Sequence, residues 1–509
     1  MLDINNLSVS LLKDDRPLIQ NLSFSLGPQD KMAILSEEGL GKSSLLKCIM
    51  NIPQDHLKIK GHINTHQSLI GYLPQTLENQ ERSVLDYFYD SIVNLDHHYG
   101  DLLASLNQFD LPPEILERKH LWSLSGGERI KCQLIMLTLL KPDVYLLDEP
   151  SNDIDLKTIQ WLQQFIIQLE APVLFVSHDE LLIQACATKL LHLEASHRKT
   201  QAFNSISSLK YFDYVKQRQH QINKDTQIAF EQKRTRKIQE QKLQQQFEKV
   251  QHSLRTISRQ DPSGARLLKK KMKSIKSKEK RYEKETAFQM IQPDPQEAIN
   301  LKFNVKALPS SKEIINIENG QLKIESKLLL KNYNLIIKAS EHVGFRGDNG
   351  SGKTTLLKHI STLLKEKTEL KVGIMPQDYE EQFNENHTPY TFLAITYEKE
   401  EQDLIYNTLG ALQFTYEEMN QNVHNLSGGQ KAKLFLARFI LNDCNVLLLD
   451  EPTRNLSPLS NPELRQMLSE YQGCIIAVSH DRLFLKEVCH TIYNLENQSL
   501  QPIDSIPIS

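Results

Sequence analysis

The sequence predicts an α/β protein in which two copies of one domain are joined by a long antiparallel helical hairpin. Three observations lead there. Sequence motifs recur at a constant offset, short apolar runs in each copy end in polar residues, and Val173 to Asp261 has neither Gly nor Pro while the apolar residues between the copies step at helical spacing. The length of 509 residues agrees, because it exceeds what one hydrophobic core holds and points to two or three domains.

The repeat comes first. "LSGGE" at 124–128 and "LSGGQ" at 426–430, "VYLLDEP" at 144–150 and "VLLLDEP" at 446–452, and "VSHD" at 176–179 and 478–481 are each separated by 302 residues. "GYLPQ" ending at Gln75 and "GIMPQ" ending at Gln377 keep the same offset. Spacing held across four motifs means two copies whose functional parts are arranged alike. Upstream, Lys42 and Lys353 differ by 311, so the first copy has nine extra residues before Gln75. The copies are placed at 1–205 and 301–500, the hairpin at 206–300, and a short tail at 501–509. Within each copy "VYLLD", "PVLFVS", "VLLLD" and "CIIAVS" read as buried parallel strands whose functional groups emerge at their C-terminal ends.

Phosphate chemistry follows from the loops. "GDNGSGKTT" from Gly347 matches G-x-x-x-x-G-K-[ST] in full. Around Gly347, Asn349, Gly350 and Gly352 the backbone N–H groups turn toward phosphate oxygens, Lys353 reaches the β and γ phosphates, and Thr354 and Thr355 supply hydroxyls, the first of them to magnesium. The first copy reads "SEEGLGKSS", with Ser36 where the first glycine is expected; Gly39, Gly41, Lys42, Ser43 and Ser44 keep the rest. That site either binds nucleotide with a distorted loop or is the weaker of the two.

Asp148 and Asp450 close their strands and are placed to hold Mg2+ through water, with Ser43, Thr354, Gln75 and Gln377 as the remaining expected metal partners. Glu149 and Glu451 are expected to orient or deprotonate the attacking water, and His178 and His480 to contact the γ-phosphate side. A lone "DEP" or "SHD" is more often a strand-end turn with a helix cap. Four ordered motifs at one offset remove that reading.

Phosphate loop, glutamine loop, LSGG signature, D-E-P and histidine switch, in that order, resemble the ATP-binding cassette superfamily over about four fifths of the chain. The resemblance implies ATP and Mg2+ as ligands, hydrolysis of ATP to ADP and phosphate, and two composite sites. Ser427, Gly428 and Gly429 would complete the site of Lys42, while Ser125, Gly126 and Gly127 would complete that of Lys353. Two departures stand out. After "DEP" the first copy has "SNDID", which keeps Asp155, but the second has "TRNLS", with Ser457 replacing that aspartate. Ahead of neither phosphate loop does the sequence offer a convincing aromatic to stack on adenine, so the phosphates are better specified than the base.

The segment between the copies carries the charge. From Tyr211 to Lys284 there are 21 Lys and Arg against 8 Asp and Glu, a net of +13, which leaves −16 for the rest of a chain whose total is −3. Leu243, Phe247, Val250, Leu254 and Ile257 step by four and three, "DPSG" at 261–264 makes a turn, and Leu268, Met272, Ile275 and Tyr282 resume the spacing, which predicts two antiparallel helices ending near Pro293 and Pro295. A run of charge is ordinarily a solvated surface. Segregation of +13 onto one limb of an acidic protein favours a polyanionic partner instead, contacted by Arg255, Arg259, Arg266, Lys269, Lys270, Lys271 and Lys273.

Two cassettes, no run of 18 apolar residues and a basic hairpin between them resemble the ABC-F family of ribosome-associated ATPases. That resemblance implies the bacterial 70S ribosome, 23S rRNA and tRNA as partners. "TRNLSPLS" at 453–460 resembles members that protect bacterial ribosomes from drugs bound at the peptidyl-transferase centre. The intervals from Gln75 to Leu124 and from Gln377 to Leu426 are both 49 residues, so the arm that housekeeping members often carry in the first copy is absent. A translation factor without a drug role is the alternative. A transporter subunit, which would need no basic hairpin, and a DNA-repair ATPase, in which a coil interrupts one cassette, fit less well. The absence of a leader pattern and the six scattered cysteines without a CxxC pair lead to the expectation of a cytoplasmic monomer, with no membrane partner, that closes on itself.

Overall fold

The computed structural model describes the chain except residues 1, 14, 38, 78–79, 94–98, 119, 153, 196–200, 257–261, 288–302, 304–307, 325–326, 397, 413 and 504–509. Asp261 of the expected turn, Arg259, the hairpin end near Pro293 and Pro295, and most of the tail therefore lie outside the described residues; Pro262, Ser263 and Gly264, expected in that turn, instead open a helix, whose first turn tolerates proline. The α/β class and the two copies are observed.

Each copy centres on a six-stranded sheet, and the two sheets share one strand order. In the first it runs Ile70–Leu73, Val144–Asp148, Val173–Val176, Lys31–Ser36, Lys189–Ala195 and Ala202–Ser207. In the second it runs Val372–Met375, Val446–Asp450, Cys474–Val478, His342–Gly347, Thr491–Glu496 and Ser499–Ile503. The first five strands of each are parallel and the last is antiparallel. Val144–Asp148 and Val446–Asp450 are buried at every position, which is why they read as unbroken apolar runs rather than alternating ones. Parallel strands bring their C-terminal ends to one edge. The phosphate loop, the D-E pair, the histidine switch and the glutamine segment all leave the sheet there.

The nine extra residues of the first copy have a structural account. There the helix after the phosphate loop is short, Lys42–Ile49, and a strand Leu57–Asn64 follows, pairing antiparallel with Leu2–Leu11. In the second copy the helix runs Lys353–Lys365, and among the described residues the small antiparallel sheet has only Glu313–Ile324 and Lys327–Lys338.

The chain divides into two compact units, Met1–Phe212 with Gln296–Ser509, and Asp213–Pro295. Two helices, Tyr211–Thr256 with 46 residues, whose first two belong to the first unit, and Pro262–Ala287 with 26, are built from residues of good helix propensity. The Leu254, Ile257 and Tyr282 side chains of the expected seam lie outside what the structure describes, and the other six positions follow the spacing. Val250 and Ile275 are buried, Leu243, Phe247, Leu268 and Met272 half-buried, and Leu267, one position off the seam, is 69% exposed. Lys269, Lys270, Lys271 and Lys273 are exposed.

Within the first unit a buried ion pair ties the two copies. Arg465, on the helix Asn461–Ser469, offers Nη1 and Nη2 to Oε1 and Oε2 of Glu180, the second contact at 3.2 Å, and its Nε donates to Glu487 Oε2 at 2.7 Å. Arg465 is 3% exposed and Glu180 4%. Burial opposes the guanidinium charge, yet the Glu180 and Glu487 carboxylates hold its pKa above the ordinary value. Removing one member strands the other charge out of water. Arg465→Ala is therefore expected to destabilise the two-copy unit by about 3–5 kcal/mol, read as a lower melting temperature. Arg465→Met with Glu180→Leu, which removes both charges, is expected to recover most of the loss.

Candidate nucleotide sites

Beyond the strand His342–Gly347 the chain turns sharply into the helix Lys353–Lys365, with Gly350 at φ 78° and Gly352 at φ 99°. Those left-handed positions suit glycine, and a Cβ at Gly352 would also stand 2.9 Å from the Leu329 side chain. Lys353 is buried and folds back across the loop, donating to the carbonyls of Gly347 at 2.8 Å and Asp348 at 3.0 Å. Burial lowers its pKa.

The first copy reproduces this with Gly39 and Gly41 at φ 74° and 87°. Lys42 donates to the Ser36 carbonyl at 3.1 Å, so the lysine is tethered to the same backbone position in both loops. Ser36 does not break the loop. It remains the last residue of its strand, fully buried, and its hydroxyl donates to the Glu37 carbonyl at 2.9 Å.

Asp148 and Asp450 are buried at the ends of their strands, and burial raises both pKa values while hydroxyl contacts from Ser43 and Thr354 oppose that rise. In each, Oδ1 is buried without a hydrogen-bond partner among the described residues. An unused carboxylate oxygen beside a hydroxyl on each site is an all-oxygen donor set, which fits Mg2+. Gln377 borders the same space and Gln75 lies exposed at the corresponding place.

Glu149 and Glu451 share a feature that the motif alone did not reveal. Both have left-handed backbones, φ 51° and 50°, and both N–H groups bond across to the neighbouring strand, at Val176 and Val478. Identical strain at two equivalent acids marks a required side-chain direction. Their surroundings differ. Burial alone would raise Glu149, but His178, with Nε2 3.0 Å from Oε1, and then Lys42 outweigh it and hold the carboxyl below its ordinary value. At Glu451 the histidine stands off, His480 Nε2 lying 3.8 Å from Oε1, and burial pushes the carboxyl up to about 8. Burial also pushes His480 down to about 4.

Contacts cross between the copies on both sides. Nδ1 of His178 donates to the Leu456 carbonyl at 2.6 Å, Tyr211 donates its hydroxyl proton to the Pro458 carbonyl at 2.6 Å, and Lys433 of the second signature helix lies 3.9 Å from Glu37 in the first phosphate loop. On the other side Lys157 lies 3.7 Å from Asp348, an exposed pair that contributes little. Asp155 sits in the field of Lys353 and His480 while capping its helix through the Thr158 N–H at 2.9 Å. Ser457, its replacement, turns inward to Ser460 Oγ at 3.0 Å, and the following helix begins only at Asn461.

A cavity of about 650 Å³ opens at the second phosphate loop. Asn349, Gly350, Gly352, Lys353, Thr354, Thr355, Gln377, Asp450, Glu451 and His480 border it from the second copy, and Ser151, Asn152, Ile154, His178 and Asp179 from the first. Gly347 borders a smaller space beside it. Ile324 and Leu329 form its aliphatic part, and no Phe, Tyr or Trp is among the described lining residues. Ser125, Gly126 and Gly127 do not line it. Ser125 caps its own helix through the Glu128 N–H at 3.2 Å, as Ser427 does through Gln430 at 3.3 Å, and a Cβ on Gly127 would meet Thr158 Oγ1 at 2.6 Å. Gly428 and Gly429 open the second signature helix.

Residues 19–152 and 330–454, just over half of the chain, match the family described as ABC transporter. The chain belongs to that family. ABC ATPase domains bind ATP, generally with Mg2+, and hydrolyse it, which is the chemistry that two loop lysines, two buried aspartates and two strained glutamates suit. No helix among the described residues is long and apolar enough to cross a membrane. ABC transporter F family member 5 of Arabidopsis thaliana is 29% identical over 418 residues, 80% of this chain and 56% of its own length. ATP-binding protein Uup of Buchnera aphidicola subsp. Acyrthosiphon pisum is 28% identical over 514 residues, 97% and 80% of the two chains. Ribosome protection protein VmlR of Bacillus subtilis is 28% identical over 517 residues, 97% and 87%. The chain thus spans a little over half of the plant relative. Among solved structures, the archaeal recycling factor aABCE1 in complex with stalk protein aP1 shares the fold with a TM-score of 0.61 at 15% identity, covering 98% of this chain and 89% of that one.

If Glu149 and Glu451 act on the attacking water, as their motif predicts, the unequal acids give the two sites different pH profiles. Glu451 must lose a proton to pull on water, so kcat/KM of Glu149→Gln, which leaves the second site working, is expected to climb as pH rises toward about 8. Glu149 is held ionised, so the profile of Glu451→Gln is expected to stay flat from pH 6 upward. Steady-state ATPase assays across pH on the two variants check this.

Proposed function

We propose that the chain is a ribosome-binding ATPase whose hairpin reaches the peptidyl-transferase region and protects bacterial ribosomes from antibiotics bound there. The observation that carries it is the pairing of two ABC domains with a separate helical unit whose net charge is +13 between Tyr211 and Lys284. Ribosomal RNA with tRNA is the polyanion such a limb would meet, through Arg255, Arg266 and the exposed lysines 269, 270, 271 and 273. The relative over 97% of the chain that is named for ribosome protection supports the reading.

In the mechanism, each site takes its phosphate loop from one domain and its signature from the other. Lys42 and Lys353 hold the β and γ phosphates, and Ser43, Asp148, Thr354 and Asp450 would hold Mg2+, which neutralises phosphate charge when bound. Glu149 and Glu451 orient the attacking water and draw its proton, while His178 and His480 hold the γ-phosphate side. ATP binding closes the domains and favours the ribosome; hydrolysis releases it. The protein works in the cytoplasm as a monomer.

Changing both Glu149 and Glu451 to Gln is expected to leave an ATP-bound protein that pellets with 70S ribosomes and slows growth. Equal pelleting with and without ATP contradicts the mechanism. A general translation factor is the second reading, favoured by the Uup relative at the same 28% identity and 97% coverage. Drug tests separate the two: wild-type expression is expected to raise the inhibitory concentration of pleuromutilins, lincosamides or A-type streptogramins. Protection against none of them leaves the translation-factor reading.

A further inference from the structure

The charged residues beyond the two histidine switches are not satisfied alike. At the offset of 302, Arg482 occupies the position that Glu180 holds in the first domain, and Gln163 the position that Arg465 holds in the second. The ion pair across one half of the interface therefore has no counterpart across the other. Arg482 is 4% exposed, and its Nη1 and Nη2 are both buried without a hydrogen-bond partner among the described residues. A guanidinium keeps its charge at any working pH, so burying it unpaired is costly and marks a partner that arrives in another state.

The surroundings show which partner is nearest to hand. Arg482 borders the cavity of about 650 Å³ at Lys353, and so does Asp179 of the first domain. The two feel each other electrostatically across that space, Arg482 opposing the rise that burial imposes on the Asp179 carboxyl. Asp179 spends Oδ1 on capping its helix, accepting from the Leu182 N–H at 2.9 Å. Asp481, the acid beside Arg482 on its own domain, is more heavily used, since its Oδ1 accepts from both Leu483 and Phe484.

We propose that Arg482 is a positioning residue of the Lys353 site: closure of the cavity on bound nucleotide brings its guanidinium onto the Asp179 carboxylate of the first domain, an ion pair present only in the nucleotide-bound state. This rests on the ATP-hydrolysing composite site proposed above. It gives the Lys353 site a contact that nucleotide must set, beside the Arg465–Glu180 pair, which is formed without it and whose Glu180 borders the same cavity.

The test uses the full chain with Arg482→Met, Arg482→Lys, Asp179→Asn, which keeps a capping side chain, and the Met/Asn double variant. Without nucleotide, Arg482→Met is expected to melt above wild type because it removes an unpaired buried charge. With saturating Mg-ATP its added rise in melting temperature is expected to be smaller than that of wild type. Its kcat is expected to fall about tenfold with KM within about twofold, Arg482→Lys to recover part of the loss, and the double variant to be no worse than either single. A nucleotide-free melting temperature below wild type, losses that multiply in the double variant, or a rise in KM alone would each overturn the proposal, the last by making Arg482 a nucleotide ligand. A wild type that neither hydrolyses ATP nor melts higher with it sinks the functional reading itself, and the nucleotide-free comparison still decides whether Arg482 is unpaired.

Discussion

The buried contact between Arg465 and Glu180 is the constraint on which the arrangement of the two domains depends. Two charges taken out of water are stable only when each satisfies the other, so the pair fixes the helix after the second D-E-P segment against the helix after the first histidine switch. That fixing sets neighbouring contacts too. With the helices held, the Leu456 carbonyl meets His178 and the Pro458 carbonyl meets Tyr211.

What the ion pair joins is a pair of sheets that had already gathered their chemistry. Parallel strands deliver a lysine loop, a buried aspartate, a glutamate and a histidine to one edge of each copy, and the glutamates keep a backbone conformation that only a demanding side-chain direction justifies. The copies then diverge in charge. His178 is drawn onto Glu149 and across to the other domain, while Glu451 sits beside a more distant His480 and borders an open cavity. One fold thus carries two sites in unequal electrostatic states.

Much of this was legible in the sequence because the informative residues are local. The constant offset gave two copies, the apolar runs gave the strands Val144–Asp148 and Val446–Asp450, and the four-and-three spacing gave a seam on which Val250 and Ile275 are indeed buried. The nine extra residues appeared as a number and became the strand Leu57–Asn64. What stayed hidden depends on contacts 278 or more residues apart, such as His178 with Leu456 and Glu180 with Arg465, which no local pattern encodes. One signal was available. The repeat offset pairs Glu180 with Arg482, opposite charges at equivalent positions, and such an inversion inside a repeat means the two halves cannot make the same contact. The departure at Ser457 carried a similar message, since a serine that turns inward leaves the first site without the carboxylate that Asp155 brings near the second.

The central claim is that nucleotide completes the interface at the Lys353 site, while the Arg465–Glu180 pair is formed without it. Distances between paired spin labels test it most directly, one pair reporting the separation of the Lys42 loop from the Ser427 signature and the other that of the Lys353 loop from the Ser125 signature, with and without Mg-ATP in the hydrolysis-deficient double glutamine variant. The account predicts that the second distance shortens on adding nucleotide while the first changes little. Equal shortening of both, or contraction confined to the Lys42 side, would contradict it.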